Sequence, residues 1–324
     1  MTDTSITIGV TAYNAAYTIG AALESALAQD VDIAQIVVVD DASTDDTVHV
    51  IQGYEDQYPH IELICQNTNQ GVAAARNAII EAATGAFIAF FDDDDISAPN
   101  RVRLQRDHIL AYEVAHANGA PVICHTARTQ VYPDGTQRME AAMGAIQGEA
   151  PNGREVLRFT LLGEPLREGA FGSCATCSQM ARLRTYRNLG GFDPDYRRCE
   201  DSDLALRLAK AGGHFTGLAT PLVTQQMTGT EDKGIDALAK YFMSLLDKHS
   251  DVFDTAVQQR FSRKWALLKF TWLANRRMAF ATGLITLSLR HPIQTARRLL
   301  AAVPNLAGNR AFRRFARSSA CADG

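Results

Sequence analysis

The 324-residue sequence has few cysteines and no long apolar run. Its six cysteines are scattered through a chain long enough to bury a large core, so a disulfide scaffold is not expected and a reducing, cytoplasmic setting fits best. The first residues, MTDTSITIGV, have no basic region ahead of an apolar stretch, and we expect no signal peptide. The longest mostly apolar run near the C-terminus, AFATGLITLSL, is shorter than the roughly 18–20 residues that a spanning helix needs. We therefore do not expect the chain to cross a membrane.

Acidic residues are missing from the last part of the chain. Residues 255–322 contain 13 Lys and Arg and no acid, whereas residues 1–254 contain 19 Lys and Arg against 35 Asp and Glu. In RKWALLKFTWLANRRMAF and RHPIQTARRLLAAVPN, apolar and basic residues alternate at helical spacing, as in helices that lie on anionic membrane surfaces. Two interpretations stay open: peripheral binding at the cytoplasmic face of the inner membrane, or a helical appendage whose arginines pair with the acidic front domain. Nucleic-acid binding is not expected, because no reading motif accompanies the charge.

The first hundred residues alternate between strand-like and helix-like segments. Four mostly apolar runs predict strands: SITIGV (5–10), QIVVVD (35–40), IELICQ (61–66) and FIAFF (87–91). Segments with helical periodicity separate them, and this order predicts an α/β sandwich with a mostly parallel central sheet.

Further along, residues 99–119 predict a helix and PVICHTA another strand. Residues 132–172 lack clear periodicity and are interpreted as loops with a short helix. EDSDLALRLAKAGG is a helix with a glycine stop. The pattern from about residue 235 onward is helical, interrupted at Pro292 and Pro304.

Acids follow two of the predicted strands directly. Asp40 and Asp41 come after IVVV, and four aspartates, Asp92 to Asp95, come after FIAFF. Parallel strands bring their carboxyl ends to one sheet edge, where ligands bind in open α/β folds. Carboxylates this close raise each other's pKa unless a cation is present, and Mg²⁺ or Mn²⁺ with oxygen ligands resolves the conflict. The alternative is that the aspartates form a solvated turn and a helix N-cap.

The order of several blocks resembles the family 2 glycosyltransferases, which have the GT-A fold. The blocks are TAYNAAYTIGAALESALAQ, IVVVDDASTDDT, NTNQGVAAARNAI, GAFIAFFDDDD and LGGFDPDYRRCEDSDLALRLAKAG. The resemblance implies an inverting transfer of a sugar from a nucleotide-sugar, commonly a UDP-sugar, to the hydroxyl of a saccharide or lipid-linked acceptor in polysaccharide or glycolipid synthesis. It implies a GT-A domain over residues 1–228 and a basic helical region over residues 229–324.

The resemblance also implies roles for residues around the nucleotide. Thr11 and Tyr13 would pack around the base, and Asp40 would accept a hydrogen bond from it. The block that closes over the nucleotide contributes Asn69, Gly71 and Arg76. For two of these residues an alternative stays open: Asp40 could cap the turn that follows it, and Arg76 could be a surface residue of a helix.

The four aspartates differ in their implied roles. Asp92 and Asp94 match the D-x-D motif that would bind Mn²⁺ or Mg²⁺. Asp93 lies between them and would approach the ribose or the donor sugar, whereas Asp95 would only support the site or cap the next turn. Many relatives place an Arg or His motif after the last core strand, where a His can complete the metal shell. This chain has PLVTQQMTGTEDKG there, with Gln225 and Gln226 but no His, so the third metal ligand stays open.

The E-D pair of the family matches Glu200 and Asp201. The reaction needs a base that takes the acceptor proton, and Asp201 is the candidate, with Glu200 orienting donor or acceptor hydroxyls. The alternative is that both acids stabilise a helix N-terminus. Cys174 and Cys177 form a lone C-x-x-C on a strand near the expected acceptor pocket. They are interpreted as buried or pocket-wall thiols rather than as a zinc or redox site.

Two other classes of protein remain. A nucleotidyltransferase shares a related sheet, but it needs a Gly-rich loop with Lys or Arg where this chain has TAYNAAY. A non-catalytic nucleotide-sugar-binding protein is disfavoured by the intact acids.

Overall fold

A computed structural model describes residues 3–227 and 234–302 of the chain. The described residues divide into two compact units, one formed by residues 3–154 and 166–227 and the other by residues 155–165 and 234–302. The strands are β1 Ile6–Ala12, β2 Gln35–Asp40, β3 Ile61–Cys65, β4 Phe87–Asp92, β5 Ile96–Ser97, β6 Val122–Val131, β7 Gln137–Glu140, β8 Gln179–Arg182 and β9 His214–Gln226. The α-helices are α1 Ile19–Leu27, α2 Thr47–Glu55, α3 Val72–Ala82, α4 Arg101–Tyr112, α5 Gly153–Leu162, α6 Leu183–Asn188, α7 Glu200–Lys210, α8 Ile235–Lys248, α9 Ala256–Leu273, α10 Arg277–Arg290 and α11 Pro292–Ala302.

One sheet organises the first unit. Its strand order is β3-β2-β1-β4-β8-β6-β9-β5, and β7 pairs with β6 outside that path. Strands β1 to β4 pair in parallel, as do β6 and β9, whereas β5, β7 and β8 pair antiparallel to their neighbours. The predicted α/β sandwich with a mostly parallel sheet is therefore confirmed.

The parallel strands form the core because they are apolar on both faces. Ile6, Ile8 and Val10 of β1 are fully buried. Helix α3 packs so closely on this strand that a Cβ on Gly9 would lie 2.3 Å from Ile79 Cγ2. A residue with a side chain at position 9 would push α3 away, and with it the loop that precedes the helix.

The segment between residues 132 and 172 is more regular than its sequence predicts. It contains β7 and the ten-residue helix α5. The prediction that the C-x-x-C lies on a strand is wrong, because Thr176–Ser178 form a single 3₁₀ turn and β8 begins only at Gln179. Such a turn depends on tertiary packing rather than on a local pattern.

The described part of the second unit is helical, as predicted. Helix α10 ends at Arg290 and α11 begins at Pro292, since proline fits the first position of a helix, where its missing N–H is not needed. Pro304 lies outside the described residues. Phe261, Leu268 and Leu287 form a small core, against which Trp265 and Phe280 pack. Within residues 3–227 and 234–302, none of the helices combines the length and apolar character needed to cross a bilayer.

Candidate active site

Three adjacent parallel strands place polar residues at one edge of the sheet. In the pairing of β1 with β4, Thr11 lies opposite Asp92, and in the pairing of β1 with β2, Ala12 lies opposite Asp40. The middle of each strand is mostly apolar, and polar side chains stand where the strands leave the core. Thr11, Asp40 and Asp92 therefore share the carboxyl edge, where open α/β sheets bind their ligands.

Asp40 is buried and holds the turn that follows β2. Its Oδ2 accepts a hydrogen bond from the Ser43 backbone N–H at 3.0 Å, and its Oδ1 accepts one from the Ser43 hydroxyl. The turn includes Ala42 in the left-handed region, with φ of 61°. These contacts are those expected if Asp40 caps the turn that follows it. Binding of a nucleotide base by Asp40 stays a prediction.

Asp41, for which the sequence suggested no role, organises the loop before α3. Its carboxylate accepts hydrogen bonds from the backbone N–H groups of Gln70 at 2.7 Å and Gly71 at 2.8 Å. Burial raises the pKa of Asp41, and the two N–H donors oppose that shift. Gly71 has φ of +90°, a conformation that other residues rarely adopt.

The same loop is fixed from a second direction by Arg197, which precedes the E-D pair. Arg197 donates to Asn69 Oδ1 at 3.1 Å and to the Asn69 carbonyl at 3.2 Å. Residues 69 and 197 are far apart in the chain, so no local signal in the sequence could have identified this contact. The structure thus brings the predicted nucleotide block next to the segment that leads into α7.

The four aspartates after β4 face different partners. Asp93 accepts a hydrogen bond from the Tyr13 backbone N–H at 2.9 Å, which joins the predicted nucleotide-binding residues Tyr13 and Asp93. Asp95 is buried, and its Oδ1 accepts a hydrogen bond from the Gln226 backbone N–H at 3.1 Å. Asp95 is thus held by the last residue of β9.

Asp92 and Asp95 lie together with Cys177. Among the described residues, these three present potential ligand atoms within 4.8 Å of one another, and Asp94 is not part of the group. Asp95 Oδ2 is buried without a hydrogen-bond partner in the described structure. Burial, followed by the charges of Asp92 and Asp94, raises the pKa of Asp95 to about 8. A divalent cation would relieve this repulsion, so the residues present fit one.

Oxygen rather than sulfur suits such an ion. Burial raises the pKa of the Cys177 thiol far above its usual range, which favours the neutral thiol. Arg128 also donates to the Cys177 sulfur at 3.5 Å and to Gln225 Oε1 at 2.7 Å. Mg²⁺ and Mn²⁺ prefer carboxylates. The structure brings Asp95 close to Asp92, and the assignment of Asp92 and Asp94 as the metal ligands stays a prediction.

Arg76 lies between the aspartates and the E-D pair. It is almost fully buried; Nη1 lies 2.9 Å from Glu200 Oε1 and Nη2 lies 3.3 Å from Asp92 Oδ1. The guanidinium also lies over the ring of Phe192, 5.3 Å from its centroid. The alternative that Arg76 is a surface residue of a helix is therefore wrong.

The E-D pair opens helix α7. Cys199, just before the helix, has φ of 67°, and Glu200, Asp201 and Asp203 occupy the first turn. Burial, followed by the charge of Asp201, raises the pKa of Glu200 to about 7, although Arg76 opposes the shift. Asp201 Oδ1 accepts a hydrogen bond from the Ser202 backbone N–H at 2.6 Å. Three acids in a first turn also stabilise the helix, so this alternative and a role in catalysis are compatible.

Arg101 supports β4 from the interior. It is fully buried, donates to the Phe90 carbonyl at 2.9 Å and to Ser97 Oγ at 2.7 Å, and lies 4.4 Å from the centre of the Phe91 ring. Burial lowers its pKa to about 10. Position 101 starts a helix after a proline and asparagine, and nothing in that local pattern predicts a buried cation.

Comparison with known proteins gives the family. A model of glycosyl transferase family 2 matches residues 7–168, half of the chain. The succinoglycan biosynthesis protein ExoO of Rhizobium meliloti (strain 1021) is 46% identical over 98 residues, which is 30% of this chain and 28% of that protein. The UDP-Glc:alpha-D-GlcNAc-diphosphoundecaprenol beta-1,3-glucosyltransferase WfgD of Escherichia coli is 34% identical over 119 residues, 37% of this chain and 46% of that protein. The matches span less than two thirds of either relative.

A solved structure extends the likeness to almost the whole chain. The crystal structure of S. aureus TarS 1-349 in complex with UDP-GlcNAc superposes with a TM-score of 0.59 at 17% identity, covering 97% of this chain and 90% of that one. At this identity the likeness shows the fold, which is GT-A. Together with the family match, it confirms the resemblance of the motif blocks. The chain belongs to glycosyl transferase family 2.

Proposed function

We propose that the protein transfers a sugar from a UDP-sugar to an acceptor hydroxyl, with inversion at the anomeric carbon and with the help of a divalent cation. The observation that carries this proposal is the bridge made by Arg76. One buried guanidinium contacts Asp92, at the predicted diphosphate side, and Glu200, at the predicted acceptor side. This contact supports the proposal because it keeps the predicted metal ligand Asp92 close to Glu200 of the E-D pair.

Asp201 is the proposed general base. Inversion needs a single displacement, in which the acceptor oxygen attacks from the face opposite the leaving diphosphate while its proton moves to a carboxylate. Asp201 stands at the N-terminus of α7, half-buried beside Glu200. Glu200, tied to Arg76, has the smaller freedom of the two and would orient a hydroxyl group of the donor or acceptor.

Asp92 and Asp94 are the proposed ligands of Mn²⁺ or Mg²⁺, with Asp95 adjoining them. When bound, the cation would neutralise charge on the departing diphosphate. The side chains of this chain would do the rest: Asp93 positions the donor beside Tyr13, and the loop of Asn69 and Gly71 closes over the nucleotide. Thr11 and Asp40 complete the proposed base pocket.

The donor and acceptor classes are proposed from the relatives. WfgD is named for transfer of glucose from UDP-Glc to a GlcNAc-diphosphoundecaprenol, and a TarS structure is described as a complex with UDP-GlcNAc. We propose a UDP-sugar donor and a saccharide or lipid-linked acceptor in the synthesis of a cell-surface polysaccharide or glycolipid. The proposed location is the cytoplasmic face of the inner membrane, reached without a spanning helix.

Purified protein can test this function directly. A thermal-shift screen with a panel of nucleotide-sugars and Mn²⁺ identifies the donor. Transfer of its sugar to lipid-linked saccharides is then measured, and NMR determines the anomeric configuration of the product. A UDP-sugar that stabilises the protein and yields an inverted product supports the proposal. Stabilisation by a nucleoside triphosphate with pyrophosphate release, or binding without transfer or donor hydrolysis, would refute it.

A further inference from the structure

The outer side of the C-terminal helices exposes an unusual amount of apolar surface. On α10, Met278 and Leu289 are 78% and 80% exposed, and Leu300 on α11 is 73% exposed. Single exposed apolar residues are common, but a concentration of them within a few helical turns marks an interaction surface. The full set on these two helices is Met278, Ile285, Leu289, Ile293, Leu299 and Leu300.

These side chains are on the opposite side of α10 from its packing face. Phe280, Leu284 and Leu287 of α10 pack into the small core with α9. Met278, Ile285 and Leu289 are spaced by seven and four residues, so they form a separate stripe about half a turn away from Phe280. Helix α10 is therefore apolar on two sides, and among residues 234–302 the other helices cover one of them.

The charged residues on α10 and α11 themselves are all basic, although Asp236 of α8 pairs with Arg276 just before α10. Exposed Arg277 and Arg290 stand at the two ends of α10, and exposed Arg297 stands on α11. No acidic residue occurs between positions 255 and 322 of the sequence. An apolar stripe flanked by arginines is complementary to a surface with a hydrocarbon interior and anionic groups at its boundary.

We propose that the exposed faces of α10 and α11 dock on the surface of an anionic phospholipid bilayer. The helices would lie in the interfacial plane, with Met, Ile and Leu side chains among the acyl chains and arginines at the headgroups. A second copy of the chain fits less well, because a two-fold contact would bring the same arginines face to face. A nucleic acid fits less well too, because the stripe carries no aromatic side chain for stacking on bases.

This surface does not depend on the proposed sugar transfer. It would hold the protein where a lipid-linked acceptor is found, but docking needs no donor, cation or turnover. Asp201→Asn is therefore expected to dock like the natural sequence, so failure of one proposal leaves the other standing.

Flotation of the full chain with vesicles tests the surface. Vesicles of phosphatidylcholine alone are compared with vesicles containing about 30% phosphatidylglycerol, at low and high salt. The apolar variant is Met278→Gln with Ile285→Gln and Leu289→Gln, and its control is Val114→Gln, which removes a 91% exposed apolar side chain from the other unit. The charge variant is Arg277→Gln with Arg290→Gln and Arg297→Gln, and its control is Arg184→Gln.

The natural chain should float with the anionic vesicles and much less with neutral ones. The apolar variant should lose at least about tenfold in partition coefficient, the charge variant should lose the preference for anionic vesicles, and both controls should float unchanged. Equal flotation of the apolar variant, or no flotation of the natural chain, would overturn the proposal. So would a dimer in ultracentrifugation that the apolar variant abolishes, since the stripe would then bind a second copy.

A second measurement uses the natural sequence alone and so does not depend on the folding of variants. Hydrogen exchange with and without anionic vesicles should show slower exchange in residues 277–302 and unchanged exchange in β1 to β4. Protection elsewhere, without protection of α10 and α11, would contradict the proposed surface.

Discussion

Arg76 and Glu200, 124 residues apart in the chain, form an ion pair of 2.9 Å between Nη1 and Oε1. Both side chains are largely buried, and the other terminal nitrogen of Arg76 contacts Asp92. The pair joins α3, which carries the predicted nucleotide block, to α7, which carries the predicted base. The site is thus assembled around the buried guanidinium of Arg76. Without it, Asp92 and Glu200 would lose their shared positive partner.

Replacing Arg76 should therefore cost stability as well as activity. Arg76→Met leaves Glu200 and Asp92 without their counter-charge, and breaking a buried pair in this way costs about 3–5 kcal/mol. Urea unfolding measures the change. Arg76→Met combined with Glu200→Gln should recover part of the loss, because one of the stranded charges is gone. A double variant whose loss equals the sum of the two single losses would show that the pair contributes nothing.

Glu200 should make stability depend on pH. Its pKa is raised from 4.5 to about 7, mainly by burial, so the folded state binds a proton that the unfolded state releases between those values. The resulting stability is fully present below about pH 4.5 and is lost as pH rises through 7, by about 3 kcal/mol. Glu200→Gln should flatten this part of the profile in unfolding experiments.

The control for that experiment is Glu81→Gln, which removes an exposed carboxylate on α3. Asp95, whose pKa is raised to about 8, adds a fall in stability that extends to higher pH and remains in both variants. An unchanged slope between pH 4.5 and 7 in Glu200→Gln would contradict the role given to Glu200.

The loop before α3 requires glycine at position 71. Gly71→Ala forces an alanine to φ of +90° and ψ of 163°, which should cost about 1–3 kcal/mol and weaken donor binding by disturbing the N–H contacts with Asp41. Gly53→Ala is the matched control, since Gly53 lies within α2 with nothing within 4 Å of an added Cβ. It should stabilise the protein by about 0.5–1 kcal/mol. Urea unfolding measures the stability of both variants, and calorimetric titration measures their affinity for the donor. Donor binding by Gly71→Ala as tight as that of the natural sequence would contradict the role given to this loop.

Removal of the cation should stop the reaction. EDTA is expected to abolish transfer, and Mn²⁺ or Mg²⁺ should restore it. Asp92→Asn and Asp94→Asn should each raise the metal concentration needed for half-maximal activity by tenfold or more, on the order of a lost ligand. Asp95→Asn tests whether Asp92 binds the metal together with Asp94 or together with Asp95. If the metal requirement rises strongly in Asp95→Asn and does not change in Asp94→Asn, the second ligand is Asp95. Full activity in chelator would reject the cation altogether.

Local patterns were sufficient to predict the parallel strands and the edge at which their acids collect. IVVV and FIAFF are apolar on both faces and are each followed by aspartate, and the structure places these residues in β2 and β4. Contacts between distant parts of the chain were not predictable in this way. Gln226 holds Asp95 across 131 residues of sequence, and Arg197 holds Asn69 across 128, so neither partner leaves a periodic signal.

The sequence also did not predict which charged side chains are buried. Arg101 and Arg128 are charged residues in elements that could equally face water, yet both are buried among polar partners. Arg101 donates to groups on β4 and β5, and Arg128 donates to Cys177 and to Gln225 on β9, so their burial depends on contacts with other elements. The helical C-terminal region was predictable from its periodicity, but which of its apolar residues face outward was not.

The most direct test of the account is the rate of transfer by Asp201→Asn. The substitution keeps the shape of the side chain and its contact with Ser202, and it removes the charge that would accept the acceptor's proton. Asp195→Asn, an exposed change in the same segment, is the control. The account predicts a fall in kcat of about 10²–10⁴-fold with donor binding retained, and no change in the control. Transfer by Asp201→Asn at the rate of the natural sequence would contradict it.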